Sequence, residues 1–348
     1  MANVEPLASR ARAGEHSPKQ ARGRPSSEGV LESTDSMALH HGGTLEDLRL
    51  AWRLTGPQGA PVVCALGGIS AHRRVCDTDD ARESWWPEIA GPGRPLDSGR
   101  WRVLGFDFIG GTGESTAPSP GAPFPTISSY DQAEALLRIL NHLGIDSLEA
   151  IAGGSYGGMV ALAFAERYPQ RVSRLIVIGA CDRAHPMSTA WRSIERRMIR
   201  FGIESGRPQP AVELARALAM TTYRSSEEFA ARFGGEPSRE GPDLVFPVER
   251  YLMARGRDYA QRYRPESFLC LSESIDLHRV DAARIGVPAS VVAVREDRLV
   301  PIADVRAMVA RLPAGRLHEI SSVYGHDAFL KEADQLRAVF AGALEGCA

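Results

Sequence analysis

The pentapeptide Gly153-Gly154-Ser155-Tyr156-Gly157 stands between two apolar stretches, and it decides the fold class. Residues 148–152, before it, are a short apolar run that predicts a buried strand. Residues 159–165, after it, predict a buried helix. A serine between glycines at such a junction indicates a tight, strained turn, because glycine has no Cβ atom to clash there. That turn projects the hydroxyl from the sheet, so we predict that Ser155 is a nucleophile.

A serine hydroxyl becomes an effective nucleophile only when a base removes its proton. His326 follows the last predicted strand, residues 317–320, and Asp297 follows the β-branched run at residues 289–294. The chain order serine, acid, histidine is that of the α/β-hydrolase fold. We therefore predict that His326 is the base and that Asp297 is the acid that orients it. Glu296 is the rival acid, because one residue of register decides between the two.

The order of predicted elements describes an α/β core with an insertion. Strands and helices alternate over residues 37–183 and 264–348, which predicts a mostly parallel sheet with helices on both faces. Residues 184–263 have helical runs and no strand signals, so we predict a helical lid there. Residues 1–36 lack apolar periodicity and are rich in Arg, Ser, Pro, Gly and Glu, so we predict a disordered tail. Met37 then begins a sequence typical of a domain start.

Composition and charge exclude several classes of function. With 348 residues, 43% of them hydrophobic, the chain can bury a sizeable core. The net charge of −2, with dispersed arginines, argues against nucleic acid or a membrane surface as a partner. No apolar run approaches the roughly 20 residues of a membrane span, and none resembles a secretory signal. The five cysteines are scattered, and no spacing matches a metal site, so we predict a cytoplasmic protein without a metal.

Two backbone N–H groups near Ser155 are candidates for an oxyanion hole. Attack on a carbonyl creates an oxyanion, which needs preorganised donors. One donor should be the N–H of Tyr156, the residue after the nucleophile. The other should come from the loop at residues 66–70, where Gly68 lets the backbone approach the substrate closely.

A series of short motifs follows in order along the chain: Trp85-Trp86, Gly91-Pro92-Gly93, Leu96-Asp97, and residues 110–116, 154–159, 214–216, 222–225, 262–271 and 325–330. In this shared order, over about residues 44–340, they resemble the homoserine O-acyltransferase family of methionine biosynthesis. Tyr156 departs from the pattern, because the family often has methionine there.

The resemblance implies a ping-pong reaction in which Ser155 takes an acyl group from acyl-CoA and the hydroxyl of homoserine then attacks the acyl-enzyme. No bound cofactor is implied, since acyl-CoA is a co-substrate, and we expect small-molecule substrates and a homodimer. Arg216 matches the carboxylate-binding arginine of the family, and Asp327 matches its amine-binding acid. Tyr223 matches a pocket tyrosine, and its spacing of seven residues from Arg216 puts both on one helix face.

The loop at residues 66–74 departs from the Leu-Thr-Gly of the family's acetyltransferases. Its Gly67-Gly68-Ile69-Ser70 segment resembles members assigned to succinyl transfer. Succinyl-CoA carries an additional carboxylate, and Arg73 or Arg74 beside this loop is a candidate partner for it. We therefore predict O-succinylation of homoserine. An acetyl-CoA donor, a serine acceptor and an esterase are the alternatives.

Overall fold

An eight-stranded sheet forms the centre of the computed structural model, which describes residues 26–76 and 83–344. Its spatial order is β1-β2-β4-β3-β5-β6-β7-β8, with β1 and β2 antiparallel to their neighbours and the other strands parallel. The predicted α/β-hydrolase architecture is confirmed. The strands are β1 (Ser26–Ser33), β2 (Leu48–Thr55), β3 (Val62–Leu66), β4 (Arg102–Phe106), β5 (Ala150–Gly154), β6 (Leu175–Ile178), β7 (Ala289–Val294) and β8 (Gly315–Ile320).

Helices cover both faces of this sheet, which is why its central strands are continuous apolar runs. Every residue of β3, β5 and β6 is buried. Helices α1 and α2 pack on one face, and α10 packs with Trp86 on the other. The helices are α1 (Ser129–His142), α2 (Tyr156–Arg167), α3 (Pro186–Glu204), α4 (Pro208–Tyr223), α5 (Ser226–Phe233), α6 (Pro247–Ala260), α7 (Pro265–Leu277), α8 (Ile302–Val309), α9 (Ala328–Lys331) and α10 (Ala333–Leu344).

Short elements complete the described ranges. Two-residue ribbons pair Met37–Ala38 with Thr44–Leu45 and Ala90–Gly91 with Leu96–Asp97. Single 3₁₀ turns span Pro169–Arg171, Ala282–Arg284 and Gly325–Asp327. In the part of the chain that the structure describes, none of the helices has the length and apolar character needed to cross a bilayer.

The predicted disordered tail is wrong for its last part. Residues 26–33 form β1, which pairs along its whole length with β2 and makes the edge of the sheet. The residues of β1 are exposed or half-buried without alternation, and most of them are polar, so they give no periodicity signal. The strand forms because β2 offers it backbone partners. Gly29 leaves room for the Trp52 ring, since a Cβ atom there would lie 3.1 Å from it. Residues 1–25 lie outside the described ranges.

The inserted helices form a lid with a small core of its own. Ile199, Val212 and Phe268 are buried together there with Ala215, Tyr259 and Tyr263. The predicted boundary at residue 263 is too early, because α7 contributes Phe268 to the lid and Leu271 to the main core before the sheet resumes at β7. The lid also contains a ribbon, Ser238–Glu240 with Asp243–Val245, that the sequence did not predict. The turn at Gly241, with φ of 59°, makes that ribbon possible.

The edge strand β1 gives a test of the predicted tail. Deleting residues 2–36 would remove β1, uncover Trp52 and leave the β2 edge unpaired, whereas deleting residues 2–25 would keep the strand. We expect the longer deletion alone to lower the thermal unfolding midpoint, by about 2–4 °C for each kcal/mol lost. Equal midpoints for the two truncated proteins would show that β1 adds nothing to stability.

Candidate active site

Ser155 lies at the sharp turn between β5 and α2, with φ of 54° and ψ of −123°. A side chain is strained in this backbone conformation, and the neighbouring glycines make it possible. A Cβ atom at Gly153 would lie 2.3 Å from the carbonyl oxygen of Gly157, and one at Gly154 would lie 2.5 Å from the Phe329 ring. The strained turn predicted from the sequence is therefore present, and it carries the Ser155 hydroxyl to the carboxyl edge of the sheet.

The structure joins Ser155, His326 and Asp297 in a chain of hydrogen bonds. His326 Nε2 lies 2.8 Å from Ser155 Oγ, and His326 Nδ1 lies 2.7 Å from Asp297 Oδ2. The other carboxylate oxygen of Asp297 accepts hydrogen bonds from the backbone N–H groups of Leu299 and Val300, at 2.8 and 3.0 Å. These bonds fix the carboxylate in the position that orients the imidazole.

The Glu296 side chain points away from His326, so the acid at the end of β7 is Asp297 rather than Glu296. Its Oε2 accepts a 2.7 Å hydrogen bond from the Ser322 N–H, and its other oxygen accepts from the Ser321 hydroxyl. Of the two acids proposed from the sequence, only Asp297 reaches His326.

The environment of His326 favours its protonated form. Burial by itself lowers the pKa of the imidazole, but the charge of Asp297 and the hydrogen bond to it outweigh burial, so the pKa is raised above its ordinary value. An imidazole with a raised pKa takes a proton from a hydroxyl more readily.

The two predicted oxyanion donors lie at the start of α2 and in the loop at residues 66–70. Tyr156 is the first residue of α2, so its N–H has no acceptor within the helix. Gly68 lines the same cavity as Ser155. The loop that carries Gly68 is tied to α2 by a 2.8 Å hydrogen bond from the Gly157 N–H to the Gly67 carbonyl. Gly67 is the crowded glycine of this loop, since a Cβ atom there would lie 2.6 Å from the Trp85 ring.

The cavity in front of Ser155 has a volume of about 220 Å³ and extends beneath the lid. Arg216 and Tyr223 reach it from α4, with a 3.1 Å hydrogen bond from Arg216 Nη1 to the Tyr223 hydroxyl. The Arg216 guanidinium lies 4.9 Å from the Tyr223 ring centre and 4.7 Å from that of Tyr259. Stacking between two aromatic rings holds the cation rigidly and leaves its other N–H groups free to bind an anion.

Asp327 also lines the cavity, directly after His326, but it is engaged in an ion pair. Its Oδ2 accepts a 2.8 Å bond from Arg224 Nε, and Arg224 also bonds Glu228 Oε1 at 2.9 Å. The sequence did not predict Arg224, which follows Tyr223 at the end of α4. The structure thus brings Arg216, Tyr223 and Asp327 to the cavity, as predicted. Asp327 already has Arg224 as its cationic partner.

The prediction for Arg73 is wrong. Its side chain does not line the cavity of Ser155 but binds Asp107 Oδ2 at 2.5 Å and Glu114 at 2.9 Å. The backbone N–H of Arg73 donates to the other oxygen of Asp107, at 2.8 Å. Arg74 lies near Glu28 and Glu83, at 3.7 Å from each. Closeness in sequence to the glycine loop did not determine the direction of these side chains, and Arg73 instead fastens the loop to the end of β4.

Sequence reasoning missed a cationic group on the lid. Arg192, on α3, lines the cavity and binds Asp276 Oδ1 through Nη2 at 2.6 Å and through Nε at 2.8 Å. Arg196, one turn further along α3, binds Asp276 Oδ2 at 2.6 Å. Two arginines a helical turn apart resemble an ordinary solvated face in the sequence. The position of α7, which carries Asp276, joins both arginines in one ion-paired group, of which Arg192 lines the cavity.

Comparison with known proteins identifies the family. A profile of the alpha/beta hydrolase fold matches residues 61–333. The homoserine O-succinyltransferase of Xanthomonas campestris pv. campestris is 42% identical over 89% of this chain and 82% of that protein. The homoserine O-acetyltransferase of Thermus thermophilus is 38% identical over 74% of this chain and 71% of that protein. The chain belongs to the homoserine O-acyltransferase family.

A solved structure supports the fold of this homoserine O-acyltransferase family member. The crystal structure of homoserine O-acetyltransferase from Bacillus anthracis matches with a TM-score of 0.83 at 17% identity, over 92% of this chain and 97% of that one. The resemblance drawn from the sequence motifs is confirmed. Tyr156, the departure from the family motif, is buried, and its hydroxyl lies 2.5 Å from Ser274 Oγ.

The hydrogen bonds of Asp297 and Glu296 give opposite expectations for acyl transfer by this family member. Asp297→Asn should lower its rate constant by about four powers of ten, because an amide disturbs the tautomer of His326. Glu296→Gln should leave the rate near that of the unmodified protein, since Glu296 contacts only the loop at residues 321–322. The test is a steady-state assay of both variants with unchanged thermal stability as the control. A larger loss in Glu296→Gln would contradict the assignment of the acid.

Proposed function

We propose that this protein transfers an acyl group from acyl-CoA to the hydroxyl of L-homoserine through an acyl-enzyme on Ser155, with succinyl-CoA as the donor. The observation that supports it best is the single cavity shared by Ser155, His326 and the stacked cation of Arg216. In this proposal, one cavity holds both the nucleophile and the group that binds a carboxylate. The names of the relatives supply the substrates of the proposal.

In the first half of the proposed reaction, Ser155 Oγ attacks the thioester carbonyl while His326 Nε2 accepts its proton. The N–H groups of Tyr156 and Gly68 stabilise the oxyanion of the tetrahedral intermediate. The intermediate then collapses, the C–S bond breaks, and the His326 imidazolium returns the proton to the departing thiolate. The products of this half are free CoA and an ester on Ser155.

In the second half, His326 takes the proton of the homoserine hydroxyl, and that oxygen attacks the ester carbonyl. The same oxyanion donors act again, and Ser155 leaves with the proton from His326. Asp297 stabilises the imidazolium in both halves through its 2.7 Å hydrogen bond. Water competes with homoserine at this step, so the lid over the cavity favours transfer over hydrolysis.

Arg216 is the proposed partner of the homoserine carboxylate. One of its N–H groups is bonded to Tyr223, and its planar fork retains donors suited to a bidentate carboxylate. Asp327 is the acid that the family resemblance assigns to the homoserine ammonium group. Its bond to Arg224 uses Oδ2 and leaves Oδ1 for that contact.

Arg192 is the proposed partner of the distal carboxylate of the succinyl group, in place of Arg73. Two arginines, Arg192 and Arg196, share the single carboxylate of Asp276, so this group of three carries a net positive charge beside the cavity. Its side chains are largely buried, at 13%, 11% and 9% exposure, and a charge there is screened less than one on the surface. An anionic acyl group fits this environment better than a neutral acetyl group.

Thiol release separates the proposed transferase from an esterase. With acyl-CoA alone, the protein should release CoA only as a burst no larger than the enzyme concentration, and sustained release should need L-homoserine. Arg216→Lys keeps the charge but loses the planar fork, so we expect an unchanged burst and a raised KM for homoserine. Ser155→Ala should show neither the burst nor an acyl adduct in the intact mass.

Arg200→Lys, a change at an exposed arginine of α3, is the matched control and should behave like the unmodified protein. Sustained release without homoserine would favour an esterase. Equal damage to the burst and to turnover in Arg216→Lys would make Arg216 a structural residue.

The donor is tested by comparing two arginines. Arg192→Ala should lower kcat/KM for succinyl-CoA by about one to two powers of ten, the value of a charge-assisted hydrogen bond of roughly 1.5–3 kcal/mol, and should spare acetyl-CoA. Asp276 keeps Arg196 as its partner in this variant, so no buried acid is left alone. Arg73→Ala should change the rates with both donors alike, because the Arg73 side chain binds Asp107 and Glu114 and does not line the cavity of Ser155. An unmodified protein that prefers acetyl-CoA would refute succinyl transfer and favour the acetyltransferase.

A further inference from the structure

Glu195 is a buried carboxylate in the cavity, and neither the mechanism nor the family resemblance uses it. It lies on α3 between Arg192 and Arg196, and its side chain lines the same cavity as Ser155. Only 4% of the residue is exposed. Among the residues that the structure describes, no donor lies within hydrogen-bonding or ion-pairing distance of its oxygens, although three arginines are near. A buried carboxylate without a partner is unfavourable for folding, and such a group is typical of a binding site rather than of a core.

The neighbouring arginines are held away from Glu195 by other partners. Arg192 and Arg196 both turn to Asp276, and Arg216 is stacked between aromatic rings. Glu195 therefore acts on this region through its charge rather than through a bond. The charged and titratable groups that face it are Arg192 and Arg196 on its own helix, Arg216 and Tyr223 on α4, and Asp276 on α7.

The ionisation of Glu195 lowers the local net charge by one unit. Arg192, Arg196 and Asp276 together carry one net positive charge, which an ionised Glu195 cancels and a protonated Glu195 leaves in place. A distal carboxylate on the acyl group is attracted in the second case only. A neutral acetyl group has no charge to respond to either state.

We propose that Glu195 is a specificity-determining residue that sets the choice between a dicarboxylic acyl donor and a neutral one. This inference rests on the proposed function, with Arg192 as the partner of the distal carboxylate. Protonated Glu195 admits the succinyl group, and ionised Glu195 disfavours it. Ionised Glu195 thus counteracts Arg192, the arginine that attracts the succinyl carboxylate.

The direction of the pH dependence follows from the burial of Glu195. Burial raises its pKa to about 7, and the arginines, which lower it, do not compensate fully. Glu195 is therefore neutral below pH 7 and ionised above it, while the distal carboxylate stays ionised throughout. The ratio of succinyl to acetyl transfer should fall as pH rises through this range. Protonation of His326 affects both donors equally and cancels in the ratio.

The experiment measures kcat/KM for succinyl-CoA and for acetyl-CoA from one pH unit below to one above the pKa of about 7. In the unmodified protein the ratio should fall with pH. Glu195→Gln should make it independent of pH and raise it at the alkaline end by about tenfold, because one pH unit above the pKa only about a tenth of Glu195 is still protonated. Glu195→Asp keeps the charge and should keep a fall with pH. Glu204→Gln, at the exposed end of the same helix, is the control and should match the unmodified protein.

A ratio that is constant with pH in the unmodified protein, or unchanged in Glu195→Gln, would overturn the inference. A raised KM for homoserine in Glu195→Gln with an unchanged donor ratio would also overturn it and would place Glu195 at the acceptor ammonium group. Failure of the proposed function has a different signature, since succinyl-CoA would then give no acyl-enzyme on Ser155 at any pH in any variant.

Discussion

The 2.8 Å contact between Ser155 and His326 is the interaction on which the rest of the site depends. It exists only because the chain holds Ser155 at a positive φ, in a conformation that a side-chain-bearing residue rarely adopts. Glycines 153, 154 and 157 leave no room for a Cβ atom at the turn, and the buried strand β5 and helix α2 fix its two ends. The local strain is thus balanced by packing on both sides. The sheet then brings Asp297 and His326, more than 140 residues later, to the same carboxyl edge.

The lid contributes charged side chains to the cavity, whereas the sheet positions Ser155, Asp297 and His326. Its helices carry Arg192, Glu195 and Arg216 to the cavity, and each of them is largely removed from water. Electrostatic interactions are stronger there than on the surface, because the effective dielectric constant is lower. The three side chains differ in how they are held. Arg216 is stacked, Arg192 is bonded to Asp276, and Glu195 has neither a stacking ring nor a bonded partner within residues 26–76 and 83–344.

The glycine loop, residues 66–70, is held in place by bonds on the side away from the cavity. Asp107 receives the Arg73 backbone N–H, its guanidinium and the Glu114 N–H, so one carboxylate fastens two loops at the end of β4. These bonds hold the glycine loop in place, and the Arg73 side chain stays outside the cavity of Ser155. An arginine beside a glycine loop can therefore stabilise the loop instead of binding a substrate. Its ion-pair partners show which of these two roles it has.

The sequence by itself determined the strands and helices of the core, the nucleophile and the order of its partners. Apolar runs and the glycines at Ser155 are local signals, and β7 has the bounds predicted from its β-branched run. It did not reveal β1, whose polar residues form a strand only because β2 offers an edge. The choice of Asp297 over Glu296 and the direction of Arg73 also depended on the tertiary structure. So did the surplus charge of Arg192 and Arg196, because α7 brings Asp276 to them from about 80 residues away. A side chain's direction and its ion-pair partner are set by packing between distant segments, which no local pattern encodes.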